Sequence, residues 1–158
     1  MNMNKIIMTL AIAIAAITTI SLRAQSNDEL GKKLILTTYI DDAKTAQSLL
    51  DQGVNINYQD EFGRTALMFA AIHDSENIAQ LLINNGADLN LQNDNGNTAL
   101  IIASADNSID VVQLLIDNGA SFTLRNKYKQ SAYDLAKTRG NQAVLNILPK
   151  AAKPATEF

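Results

Sequence analysis

Thr65-Ala66-Leu67 recurs as Thr98-Ala99-Leu100 and again, with substitutions, as Ser131-Ala132-Tyr133, a period of 33 residues that never slips. Leu49, Leu82 and Leu115 keep the same spacing, as do Gly53, Gly86 and Gly119, and Ala70, Ala103 and Ala136. A period of this size constrains the chain more than any local motif, because each unit is one supersecondary element that cannot bury its own apolar faces. The units must stack, one core must run through the stack, and the ends must differ from the middle.

The residues within one unit predict two short helices. Thr65 and Thr98 have the chemistry of N-caps, each able to accept from a free backbone N–H of the first turn, and Ala70-Ala71 keeps the first helix thin enough for close neighbours. In Ile78, Leu81 and Leu82, and again in Val111, Val112, Leu114 and Leu115, apolar residues recur at steps of three and four, the mark of a second helix with one stripe turned inward. Gly86 and Gly119 end that helix, since glycine takes the left-handed conformation at little steric cost. The polar stretches from Asn90 to Gly96 and from Thr123 to Gln130 then read as hairpin-like returns.

The pattern Asp60-x-x-Gly63-x-Thr65-Ala66-Leu67-x-x-Ala70-Ala71, followed by Leu81-Leu82-Ile83-x-x-Gly86-Ala87-Asp88-x-Asn90, resembles the ankyrin repeat. It returns as Gly96-x-Thr98-Ala99-Leu100-x-x-Ala103 and Leu114-Leu115-Ile116-x-x-Gly119-Ala120, and the resemblance covers residues 30–148. Ala66 and Ala99 stand where the family usually has proline, and Met68 and Ile101 where it usually has histidine. The resemblance implies an all-α solenoid of helix-turn-helix units joined by hairpin-like loops, with units at about 27–59, 60–92, 93–125 and 126–149. The first unit reads as an N-terminal cap, with Lys32 and Lys33 outward and Leu34, Leu36, Leu49 and Leu50 inward. The last reads as a C-terminal cap, with Lys129, Asp134 and Lys137 in place of Gly96, Ile101 and Ser104 and with Pro149 stopping its final helix. Residues 150–158 are expected to form a loose tail.

The chain begins with a different kind of segment. Met1–Lys5 carries one positive charge and Ile6–Leu22 is a 17-residue run with none, followed by Arg23 and a small residue, Ala24. This order resembles a secretory signal peptide spanning residues 1–24, with export to the periplasm of a bacterium or secretion; the run slightly exceeds a usual signal core and falls just short of a membrane-spanning helix, so retention as a membrane anchor is the alternative. Cleavage after Ala24 leaves eleven basic and sixteen acidic residues, a net charge of −5.

Composition removes several classes of chemistry. The chain has no cysteine and one histidine, His73, so thiolate nucleophiles, Cys-based zinc sites and His clusters are absent and no metal or cofactor is expected. Its net charge of −3 disfavours a nucleic-acid partner. Asn93-Asp94-Asn95-Gly96 looks in part like a calcium loop, but Leu91 and Ile102 fall on the register's ligand positions, and an Asn-Gly turn between repeats is the expectation. His73, near Asp74 and Glu76, has no nucleophile marked beside it and reads as a solvated loop histidine. The glycines lie at repeat spacing and form no phosphate loop.

Function is therefore expected at the surface, in a non-enzymatic protein that binds another protein. In ankyrin-like domains the hairpin tips and the end of the first helix usually contact a partner on the concave face. Carried over by position, these are Glu61, Phe62, Arg64, Ile72 and His73, then Asp94, Asn95, Asn97, Ala105 and Asp106, with Tyr39 and Ile40 before them and Tyr128 after. Tyr39, Phe62, Ile72 and Tyr128 are apolar where solubility favours polar residues, and aromatic and Arg anchors are what binding hot spots favour. A monomer is expected, with no small-molecule substrate. A membrane-tethered scaffold is the competing class, and an enzyme a more distant one.

Overall fold

The computed structural model describes residues 27–148 and Ala16; the remainder of the apolar N-terminal segment and the tail lie outside the described residues. Helix α1 runs through residues 27–39, and α2 is Ala43–Asp51. Three further helix pairs follow: α3 (Ala66–His73) with α4 (Glu76–Asn84), α5 (Ala99–Asp106) with α6 (Ile109–Asp117), and α7 (Ala132–Arg139) with α8 (Gln142–Ile147). No strand occurs among the described residues.

Helices α3, α5 and α7 each start where the sequence supplies a hydroxyl. Thr65 Oγ1 accepts from the Met68 N–H at 3.3 Å and Thr98 Oγ1 from the Ile101 N–H at 3.2 Å. Ser131 goes further: its hydroxyl accepts from the Asp134 N–H while the Asp134 carboxylate accepts from the Ser131 N–H at 2.9 Å, a reciprocal capping box. Asp134 thus has a reason to occupy a place that Met68 and Ile101 fill in the middle units. Those two side chains are buried, so apolar packing replaces the hydrogen bond expected of the family's histidine.

Each first helix stops on a left-handed residue. Asp41, Asp74, Asn107 and Gly140 recur at the 33-residue period with φ of 50°, 51°, 61° and 75°. Short polar side chains and glycine tolerate this conformation better than others, which lets the chain reverse into the second helix within two residues. Asp74 also reaches forward, its Oδ1 accepting from the Val111 N–H of the next unit at 3.3 Å.

The core follows the period. Leu49, Leu82, Leu115 and Leu148 are buried one beneath another, as are Ile78, Val111 and Val144, and Leu34, Leu67, Leu100 and Tyr133 form the matching column on the first helices. Each such side chain contributes roughly 1.5–3 kcal/mol by leaving water. Ala70, Ala71, Ala103 and Ala136 are buried at the contacts between α3, α5 and α7, which pack more closely on one another than do α2, α4, α6 and α8. The tighter row lies on the inner side of the stack, with the hairpins beside it.

Two readings of the sequence need correction. Leu36 is 58 % exposed rather than inward, and Ile35 is buried in its stead. In an α-helix successive residues turn by about a quarter circle, and Leu36 occupies the position of Phe69, against which Tyr39 of the preceding unit packs; α1 has no preceding unit among the described residues. His73 is the last residue of α3 and not a loop residue, because the helix carries on until Asp74 turns left-handed. Exposed it is, as expected.

Candidate functional site

The hairpins are built on one polar side chain per unit. Asp60 Oδ1 accepts from the N–H groups of Phe62 and Arg64 at 2.9 and 2.8 Å. Asn93 Oδ1 does the same for Asn95 and Asn97, and Asn126 Oδ1 for Tyr128 and Gln130. Gly63, Gly96 and Lys129 complete the turns with φ of 71°, 76° and 60°. The Asn93–Gly96 stretch is thus a turn in which the Asn93 amide oxygen serves the backbone.

Neighbouring hairpins are stitched together. The Asp94 N–H donates to the Phe62 carbonyl and the Lys127 N–H to the Asn95 carbonyl, both at 3.0 Å. Gln59 Nε2 donates to the Gly63 and Gln92 carbonyls, and Gln92 Nε2 donates in the same way to those of Gly96 and Arg125. This close approach is why glycine stands at two of the three tips. A Cβ on Gly96 would lie 2.8 Å from the Lys127 nitrogen, and one on Gly63 would lie 3.0 Å from that of Asp94. Among the described residues no later hairpin abuts Lys129, and there a lysine is tolerated.

Phe62, Arg64, Tyr39 and His73 come together through a residue that sequence reasoning missed. The Arg64 guanidinium carbon lies 4.8 Å from the Phe62 ring centroid and 4.6 Å from that of Phe69. Tyr39, from α1, stands 5.1 Å from Phe69 on one side and 5.1 Å from the His73 ring on the other, tilted by 47° and 56°. Phe69 itself is buried. It forms the floor of a strip that runs from the second hairpin tip to the end of α3, with Phe62 and Tyr39 about half exposed along it. Arg64 is held from below: its Nε and Nη2 reach Asp60 Oδ2 at 2.8 and 2.7 Å. Burial pushes the Asp60 carboxyl up, but the guanidinium and the two backbone N–H groups outweigh it and hold it below the usual carboxylate range.

The other expected residues surround this strip without joining its ring contacts. Ile72 is exposed on α3, beside His73 in sequence. Glu61, Asp94 and Asn95 are exposed at the tips, and Asn97 is half-buried, its Oδ1 accepting from Asn126 Nδ2 at 2.9 Å. Asp106 ends α5 and lies 3.8 Å from Arg139, while Ala105 before it is half-buried. Tyr128, 72 % exposed, occupies the last hairpin, and Ile40 the turn after α1.

An open cleft of about 550 Å³ lies beyond the strip, lined by Asp28, Lys32, Tyr58, Gln59, Asp60 and Glu61. Lys32 pairs with Asp28 at 3.0 Å, and that pairing, with a hydrogen bond from Tyr58, lowers the Asp28 carboxyl. Tyr58 lies against buried Gly31, where a Cβ would come 2.2 Å from its ring. Among the described residues no group of three or more His, Cys, Asp or Glu side chains is placed to hold a metal ion, and no helix is long and apolar enough to cross a membrane.

No curated protein matches the chain. A family model described as ankyrin repeats (3 copies) matches residues 34–126 and 74–154, most of the sequence. With helix pairs, caps, left-handed turns and stitched hairpins all recurring at one period, the chain belongs to the ankyrin-repeat family, whose members serve as protein–protein interaction modules.

Proposed function

We propose that this protein works by binding another protein through the strip formed by Phe62, Arg64, Tyr39 and His73, with exposed Ile72 and the hairpin tips beside it, without catalysing a reaction. The observation that carries the reading is the chain of ring contacts over Phe69. Two half-exposed aromatic residues, Phe62 and Tyr39, are held in place before any partner arrives, one by Arg64 and the other by Phe69 and His73. Pre-organised aromatic anchors lose little conformational freedom on binding, and hot spots are enriched in Tyr and Arg.

The setting proposed for this activity is the periplasm or the exterior, reached after removal of residues 1–24. The charge on Lys5, the apolar run and the small residue Ala24 support it. There the module would act on its partner as an inhibitor or as a protective accessory. The length of the run, 17 residues, supports a second reading, in which the segment is kept and the module is tethered to a membrane.

The test is affinity capture from an envelope extract with the full chain and with a Phe62→Ala, Ile72→Ala variant, followed by mass spectrometry. Partners retained by the first and lost by the second are the expected result. An identical set of proteins on both columns would contradict the proposed surface.

A further inference from the structure

The signs of the charges divide along the stack. Residues 34–124 hold twelve acidic and two basic residues, whereas residues 125–148 hold one acidic and five basic ones. Of the two cations in the long acidic part, Arg64 is tied to Asp60 and Lys44 belongs to the second-helix row, away from the hairpins. Beside the aromatic strip lie Glu61 and Asp94 at the tips and Asp74 at the end of α3, all exposed. Among the described residues no lysine or arginine pairs with these three. A strip with exposed aromatic surface is thus bordered by exposed carboxylates engaged in no ion pair, although Lys32 lines one cleft with Glu61 and Asp74 Oδ1 accepts from the Val111 N–H.

Such a border repels nucleic acids and acidic polypeptides and attracts cations over about a Debye length. The ring faces add to the preference. Arg64 already lies over Phe62 and Phe69, so this surface accommodates a guanidinium against its aromatic residues. We infer that the partner presents a cationic polypeptide segment, with an apolar side chain seated on Tyr39 and Phe62 beside exposed Ile72, and lysine or arginine on either side of it facing Glu61, Asp74 and Asp94. This rests on the proposed binding surface and adds the chemistry of what it binds.

The experiment is an unbiased selection of displayed random dodecapeptides against the full chain, with the affinities of synthetic copies of the selected peptides measured at low and at physiological salt. The expected peptides carry lysine or arginine flanking an aromatic or aliphatic residue. Glu61→Lys, Asp94→Lys in one variant should weaken them by about tenfold or more, and added salt should weaken them too. Peptides that are neutral or acidic, yet lose affinity to a Phe62→Ala, Ile72→Ala variant, would overturn the cationic partner while leaving the surface in place. Peptides indifferent to both variants, or no peptides at all, would count against the surface as well. Sedimentation of the full chain alone provides a further outcome: salt-sensitive dimers at micromolar concentration would overturn a foreign partner in favour of the basic fourth unit of a second copy.

Discussion

The guanidinium carbon of Arg64 stands 4.6 Å from the ring centroid of Phe69, a core side chain that Tyr39 meets at 5.1 Å. Charge and packing meet at this contact, since Arg64 is at once the partner of Asp60 and the link between two rings. Arg64→Ala is expected to lower stability by about 1–2 kcal/mol, and Arg64→Lys should recover little of it, because an ammonium lacks the planar fork that stacks and pairs together. Thermal unfolding of the two variants makes the comparison.

Phe69→Ala should cost far more, about 3–5 kcal/mol, for it opens a cavity at the base of the strip. Leu82→Ala, within the column of stacked leucines, is expected to cost about 2–5 kcal/mol. Denaturant titration measures both, and a change below about 0.5 kcal/mol for Leu82 would be incompatible with its place between units.

The glycines separate two physical effects. Gly119, with φ of 83°, has open space where a Cβ would be, so Gly119→Ala should cost only the conformational penalty of about 1 kcal/mol. Gly96→Ala meets both that penalty and the Lys127 backbone at 2.8 Å and should cost clearly more. Lys129→Gly should stabilise, by about 0.5–1 kcal/mol, because it removes a left-handed lysine that no neighbouring hairpin requires.

Acid should weaken the hairpins in a defined window. Asp60 and Asp134 both have carboxyls below their ordinary value: burial raises each, and is outweighed by Arg64 and backbone N–H groups at Asp60, and by Ser131 and Arg125 at Asp134. A carboxyl depressed in the folded state contributes stability that is full above the unfolded value near 4 and is lost as pH falls through the folded one. Asp60→Asn should therefore be less stable than the unmutated protein at pH 7 and show a shallower loss between about pH 4 and 2. Unfolding measured across that range decides it, and parallel curves would contradict the coupling of Asp60 to Arg64.

Much of this architecture was legible in the residues, and the reasons for the gaps are physical. Thr65, Thr98 and Ser131 announce their helices because an N-cap is a local hydrogen bond, and Gly86 and Gly119 announce ends because left-handed backbone favours glycine. Leu36 misled because hydrophobicity says that a side chain prefers burial, not whether a preceding unit exists to bury it. Phe69 stayed hidden because all six residues from Ala66 to Ala71 are buried, leaving no polar face from which to read direction. The stitching by Gln59 and Gln92 was not read from the sequence, although the two residues repeat at the period and that spacing could have pointed to it. The association of Tyr39 with His73 joins α1 to α3 and has no counterpart within one unit.

At the N-terminus, intact-mass analysis of the native protein is expected to find a chain that begins at Gln25. A chain retaining Met1–Leu22 and partitioning with membranes would replace the exported reading with the tethered one.

The most direct test of the binding surface is the affinity of a captured partner for four variants whose folds are first matched by circular dichroism. Phe62→Ala and Ile72→Ala should each weaken binding, Phe62→Ala by about 1–3 kcal/mol, while Asn84→Ala and Gln113→Ala, on the second-helix row, should leave it unchanged. Unchanged affinity in the first pair, with losses in the second, would place the function of this solenoid on the opposite side from the strip over Phe69.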